Sequence, residues 1–483
     1  KGADLLNLTG TNSFKGGVDV NDGTLALSTT GSSGFDGTLT MGVDGTSNTT
    51  LVLGPSVEVS NAVTLNGAVE VMLGLPVEYL IVGGGGSGGQ ETVGAYENGG
   101  GGGAGGLVMG TTVFSGTSTA VVVGAGGTPP SGTGQTKGGD SSALGLTALG
   151  GGGGSTRDNQ DNINGGSGGG AVNWNPNETE GQGLQPTSQW GGFGNDGGEA
   201  SDVPSSDGGS AGGGGASQAG SSPSGNTGGA GGAGMVSSIT GTAVTYAGGG
   251  GGGGATGGAG GAGGGGVGGS SSAKNGASGL DNTGGGGGGN YAPDGSAGAG
   301  GSGIVVIRYA GTTDLADGGN EAAGTDLASG YRVHTYTTTG SSTFSLDITD
   351  FTASLTGPIS GGGSLTADAS AGELTISGAN DFTGNTTITG GAVKMTGTLG
   401  NTGATAGTYA GDIANSGTLE ISTTASQTLS GVISGAGKLI QSGAGTTTLS
   451  GANTYIGATD IENGQLTVTG TLSDTTAVTV DSG

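Results

Sequence analysis

Residues 449–468 read LSGANTYIGATDIENGQLTV. Two distant stretches align with it without a gap: LTGTNSFKGGVDVNDGTLAL at 8–27 and ISGANDFTGNTTITGGAVKM at 376–395. Gly10, Gly378 and Gly451 share a column, as do Asn12, Asn380 and Asn453, and Phe14, Phe382 and Tyr455. Further along, Gly16 aligns with Gly384 and Gly457, and Val20 with Ile388 and Ile461. Each copy closes on apolar residues two apart: Leu25 and Leu27, Val393 and Met395, Leu466 and Val468. That spacing is the strand period. Thr, Ser, Asn and Gly fill the stretches between, where turns need them. A unit of several short strands cannot bury its apolar face alone, but stacked units can. The repeats therefore predict a β-solenoid.

The two C-terminal copies belong to a longer unit, because LTGPISGGGSL at 355–365 matches LSGVISGAGKL at 429–439. The whole stretch 434–468, SGAGKLIQSGAGTTTLSGANTYIGATDIENGQLTV, resembles the autotransporter-associated β-strand repeat of bacterial passengers and surface adhesins. The resemblance covers about 1–76 and 345–483. It implies a right-handed parallel β-helix, extracellular or on the bacterial cell surface, and it brings no catalytic residues.

Composition narrows the function classes. The chain of 483 residues carries 129 Gly, 10 Pro, no Cys and a single His, His334. Glycine at this level reads as low complexity, but regular apolar alternation opposes disorder. Nine Lys and Arg against 36 Asp and Glu give a net charge of −27, which repels nucleic acid. Without Cys there are no disulfides or thiolate metal sites, and one His leaves little material for zinc sites or Cys-His dyads. GASGLDNT at 276–283 echoes a calcium-binding nonapeptide once. Calcium is thus the single cofactor considered, and none is expected. No apolar run reaches the roughly 18–20 residues of a membrane span. The expectation is a protein that is not an enzyme.

Between the repeat regions the style changes. EYLIVGGGG (78–86), TAVVVGAGG (119–127) and TAVTYAGGG (242–250) each run from β-formers into glycine, and GSGIVVIRY (301–309) runs the other way. These read as core strands from which glycine tracts depart. The tract GGGGGGGATGGAGGAGGGGVGG at 248–269 has one well-packed solution, extended threefold helices hydrogen-bonded side by side, which only Gly allows to approach so closely. The pattern over 77–310 resembles glycine-rich domains of bacterial and phage surface proteins, including the polyglycine-II bundles of phage tail-fibre adhesins. That resemblance implies receptor binding or structure-building. HTYTTTGSSTF (334–344) follows the domain where its relatives carry such a strand before it, which implies a rearranged strand order.

The expected fold is all-β: parallel β-solenoid arms flanking a glycine-rich, jelly-roll-like β domain with polyglycine-II helices. The expected division is solenoid at 1–76, glycine-rich domain at 77–310, connector or strand at 311–344 and solenoid at 345–483. Two functional surfaces follow. The first is the pair of open solenoid ends, with Leu5, Leu6 and Leu8 at one and Val478 and Val480 at the other. Unpaired edges are templates for pairing, so head-to-tail self-association into a filament is expected, with a fragment of a longer solenoid as the competing reading. The second is the polar loop at 173–196, whose Trp174, Trp190 and Phe193 suit contact with a glycan or cell-surface receptor, or alternatively cap the glycine slab.

Overall fold

The computed structural model describes the whole chain apart from residues 1–4, 9–14, 29–30, 33–36, 43–47, 93–97, 158, 173–178, 187–191, 201–207, 292, 312, 321–323, 348–350, 401–406, 474–475 and 482–483. The described residues contain strands and turns and no helix. They divide into two compact units, one formed by 1–76, 112–117 and 346–483, the other by 77–111 and 118–345.

The first unit is a parallel β-solenoid. Its longest ladder runs through the strands Leu5–Leu8, Gly23–Leu27, Asn48–Leu53, Ala68–Leu73, Ser364–Ile376, Thr386–Met395, Thr418–Ile421, Lys438–Gln441, Thr459–Ile461 and Val478–Val480. Two four-stranded parallel sheets complete the coils, one built from Val18–Val20, Leu39–Met41, Val63–Leu65 and Ile359–Gly361, the other from Gly407–Tyr409, Gln427–Leu429, Thr446–Leu449 and Gln465–Val468. The two repeat regions are not separate solenoids. Ser364–Asp368 pairs residue for residue with Ala68–Met72. Ile359–Gly361 likewise joins Val63–Leu65, so the Thr64 and Ser360 hydroxyls meet at 3.4 Å although they lie 296 residues apart in sequence.

The interior follows from parallel register. Because side chains alternate across a strand, in-register coils stack like on like. Leu25, Leu51, Val71, Ala367 and Ile388 form one continuous column, each essentially inaccessible to solvent. Each buried leucine or valine contributes about 1.5–3 kcal/mol. A one-residue slip would move the whole column to the outer face.

The second unit holds two antiparallel sheets. Leu75–Val82 pairs with Ile304–Ala310, which pairs with Tyr331–Tyr336. Ser118–Val123 pairs with Gly340–Leu346 and with Ser141–Ala143. Both strands of the 334–344 region therefore sit inside these sheets, and Val244–Tyr246 forms a hairpin with Met235–Ser237. Leu80, Leu107, Ile304, Val306 and Tyr246 form the core between strands and glycine.

The glycine tracts are ordered by a backbone rule with a period of three. Gly83, Gly86 and Gly89 donate to the carbonyls of Gly106, Gly103 and Gly100; Gly84 and Ser87 donate to Gly139 and Thr136; Gly85 and Gly88 donate to Gly301 and Gly298. In 248–254 the pattern recurs: Gly248, Gly251 and Gly254 reach Gly263, Gly266 and Gly269; Gly249 and Gly252 reach Gly232 and Gly229; Gly250 and Gly253 reach Gly102 and Gly99. N···O distances in these two tracts are 2.8–3.1 Å. Successive N–H groups thus turn to three different neighbours, which run in either direction, and these bonds leave the segment itself. The tract glycines are buried, and their backbone polar groups are satisfied by one another, as burial requires. A Cβ on Gly102 or Gly250 would fall under 3.0 Å from backbone oxygens of neighbouring tracts.

Gly250→Ala is therefore expected to destabilise the second unit by about 3 kcal/mol, the upper end of overpacking costs. Gly132→Ala, where a Cβ would meet nothing within 4 Å, is expected to be neutral. Thermal melting and amide hydrogen exchange of the two variants check the contrast.

Candidate functional site

The solenoid's interior columns end exposed at both terminal strands of the long ladder. Leu6 stacks on Leu25 and Leu8 on Leu27, in register with the buried interior, yet Leu6 is 57% exposed. Leu5 and Leu8 are partly buried. At the other terminus Val478 stacks on Thr459 and Val480 on Ile461, and Val480 is 68% exposed. Among the described residues, neither Leu5–Leu8 nor Val478–Val480 has a strand on its outer side. All five residues singled out in the sequence thus lie on these two edge strands.

Adjacent coils are tied by a buried asparagine, the invariant column of the aligned repeats. Asn453 accepts the Ile433 N–H at 3.0 Å and donates through Nδ2 to the Gly451 and Thr471 carbonyls. Asn380 repeats this with the Ile359 N–H and the Gly378 and Thr398 carbonyls. The Asn453 amide thus spans three coils, satisfies an N–H that parallel pairing leaves open at a turn, and adds a second donor to carbonyls that backbone N–H groups already reach. Asn12 lies outside the described residues. Alignment located this column; its role depended on the partners that stacking brings to it.

The outer faces differ in charge. On the long ladder Lys394 meets Glu420 at 2.9 Å and Lys438 meets Asp460 at 2.5 Å. Burial raises the Glu420 carboxyl, but hydrogen bonds from Ser442 and Lys394 outweigh it and hold the group below its usual value. The sheet from Gly407–Tyr409 to Gln465–Val468 carries no charged residue, and Thr408, Thr428, Thr448 and Thr467 stack in one outward column.

In the second unit Trp174 and Trp190 lie outside the described residues. Phe193 is half-buried in the short strand Gly192–Phe193, paired with Leu107 and packed on the core. His334 is fully buried, stacked on Tyr309 and edge-on to Phe344. Its Nδ1 lies 2.8 Å from the Gly318 carbonyl, which can only accept, so the proton sits on Nδ1. Nε2 is buried without a partner. Burial pushes the imidazole below its ordinary value. Among the described residues no group of three or more His, Asp or Glu side chains could hold a metal ion. Asp281, within the nonapeptide echo, accepts the Ser302 N–H at 3.1 Å.

Comparison with known families agrees with both units. Residues 1–27, 369–395 and 439–468 match the passenger-associated-transport repeat, and the three matches end at the same residues as the aligned copies. Residues 58–310 match the glycine-rich domain. No curated protein and no solved structure matches the chain. Neither matching family describes an enzyme. Over these repeats the solenoid is similar to autotransporter passengers, which implies a surface or extracellular segment. No helix among the described residues is long and apolar enough to cross a membrane.

Two outcomes are expected from this geometry. Asn453→Ala leaves the buried Ile433 N–H unanswered, while the Gly451 and Thr471 carbonyls keep the backbone N–H groups of Thr471 and residue 453, and an unsatisfied group costs about 1–3 kcal/mol. Chemical denaturation should show a loss of about 1–3 kcal/mol, and Asn453→Asp, whose carboxylate would face the Gly451 and Thr471 carbonyls, should fail to restore it. For His334 the folded ring resists protonation while the unfolded chain takes up a proton near pH 6.5. The unfolded state then binds more protons, so stability falls as pH drops below about 6.5. Between pH 7 and 5 the wild-type melting temperature should fall more steeply than that of His334→Asn.

Proposed function

We propose that this chain, which belongs to the glycine-rich domain family and carries passenger-associated-transport repeats, is a non-enzymatic structural element of a bacterial surface. In this reading the solenoid is a stalk or fibre subunit, and its coils continue head-to-tail into a second copy. The observation that carries it is the exposure of the interior columns at Leu6 and at Val478 and Val480. An apolar column and an unpaired backbone edge at the same strand call for another coil in the same register, from a second copy in this reading or from more of the same chain in the competing one. A terminal strand on one side and a different one on the other make the contact heterologous, which yields a filament unless the rotation closes. The glycine-rich unit is read as a jelly-roll-like domain whose tracts are polyglycine-II helices. The support is the period of three in the hydrogen bonds, three residues per turn being the repeat of that helix.

The adhesin reading rests on a separate feature. The segment holding Trp174 and Trp190 is anchored on both sides, by the Ala171 N–H to the Gly198 carbonyl and by the strand Gly192–Phe193. Loops on rigid supports are common recognition elements.

Electron microscopy of the purified chain tests the first reading. Filaments are expected for the wild type, and Leu6→Lys with Leu8→Lys should abolish them, as should Val478→Lys with Val480→Lys at the opposite terminus. Dispersed particles at every concentration, or filaments that survive both pairs of substitutions, would sink it. A glycan array comparing the wild type with Trp174→Ala/Trp190→Ala tests the second, which fails if the wild type binds nothing.

A further inference from the structure

The lattice of glycine tracts has a gap in its hydrogen bonding, at a groove. Within 256–261, Gly258 and Gly261 donate to Gly252 and Gly249, and Thr256 donates to Asn226. The third direction is unanswered: neither Gly257 nor Gly260 has an N–H or C=O bonded to a protein partner among the described residues, and of the two Gly257 lines a groove. The adjoining tract shows the same gap. Gly266 and Gly269 donate to Gly286 and Gly289, and Gly268 donates to Gly258, but the Val267 N–H is free, and the Gly268 carbonyl, which no N–H answers, lies against the Gly257 Cα. Gly257, Val267 and Gly268 line a groove of about 420 Å³ together with Thr256, Ala273, Asn275 and Ala277. The lining carries no charge. Val267 stands 52% exposed there in a protein whose apolar side chains are mostly buried.

We infer that this groove binds one more extended peptide, a segment of glycine and other small residues supplied by a separate chain, which completes the lattice at Gly257 and Val267. Inside the lattice such donors and acceptors are met mostly by extended segments rich in Gly. Along the Val267 tract, Ala277, itself part of the groove lining, donates to the Val267 carbonyl, and Gly266 donates to Gly286. An incoming chain with small residues can approach to hydrogen-bonding distance, whereas bulky side chains would hold it off the groove floor. A charged ligand finds no counter-charge. The mode is the threefold counterpart of strand addition to a sheet edge, with main-chain bonds giving affinity and the steric limit giving selectivity. The inference stands on the lattice alone and is independent of head-to-tail stacking.

The probe is a synthetic peptide, GGAGGAGG with a lysine at each end, titrated into the full chain and followed by amide NMR shifts and calorimetry. Saturable binding is expected, with the Gly257 and Val267 amides shifting first. An analogue with every glycine N-methylated keeps the extended shape but cannot donate from those positions, and it should not bind. Val267→Pro removes one free N–H, breaks no internal bond and suits an extended segment. Ala277→Trp fills the groove from an exposed position. Each should weaken binding at least about tenfold while melting stays at the wild-type temperature. Absence of saturable binding, or equal binding by both variants, would overturn the inference. So would self-association of the wild type lost in Ala277→Trp, since the groove would then belong to a second copy.

Discussion

Main-chain hydrogen bonding between segments far apart in sequence is the interaction on which both units depend. In the solenoid each coil pairs with the coil beside it, about 20 residues away, and at one rung with a coil from the opposite end of the chain. In the glycine-rich unit each tract pairs with several tracts at once. Neither unit draws its regular structure from local bonds, as a helix would. The cost of ordering so much glycine is high, and it is offset because nearly every tract N–H and carbonyl is answered in the interior.

The two units solve one packing problem with different periods. A strand turns its side chains to alternate faces, so a solenoid coil can bury one set and solvate the other. That arrangement needs side chains, and it yields the columns of Leu, Val and Ile inside and the charged and threonine faces outside. A threefold segment sends its backbone groups in three directions and can be surrounded on all sides. That arrangement tolerates almost no side chain, which explains why alanine is the commonest intruder and why a Cβ at most tract positions meets backbone. The composition of each unit is the composition its hydrogen-bond period permits.

The rung between Ser364–Asp368 and Ala68–Met72 has a wider consequence. It makes the glycine-rich unit an insertion between two consecutive coils, with the ladder unbroken across it. The solenoid's interior column keeps its register through that rung, Val71 passing to Ala367. A passenger-type solenoid can thus carry a second domain without surrendering the continuity that its own stability requires.

The solenoid was legible in the sequence because its physics is periodic. Aligned Gly, Asn and aromatic columns, with Leu25 and Leu27 or Val393 and Met395 two apart, specify stacked strands whatever lies between. The strand runs before the glycine tracts were legible for the same reason. The staple role of Asn453 was not, since its partners Ile433 and Thr471 meet only when three coils are stacked. The burial of His334 under Tyr309 and Phe344 was equally hidden, because alternation alone does not say which face of a strand is covered. Least legible was the lattice. Polyglycine has no side-chain pattern, so the sequence determined that the tracts must pack through backbone but could not rank one neighbour over another. The tertiary structure decided that Gly250 reaches Gly102 while Gly257 reaches nothing, because that choice depends on where the strands at either end of each tract are held.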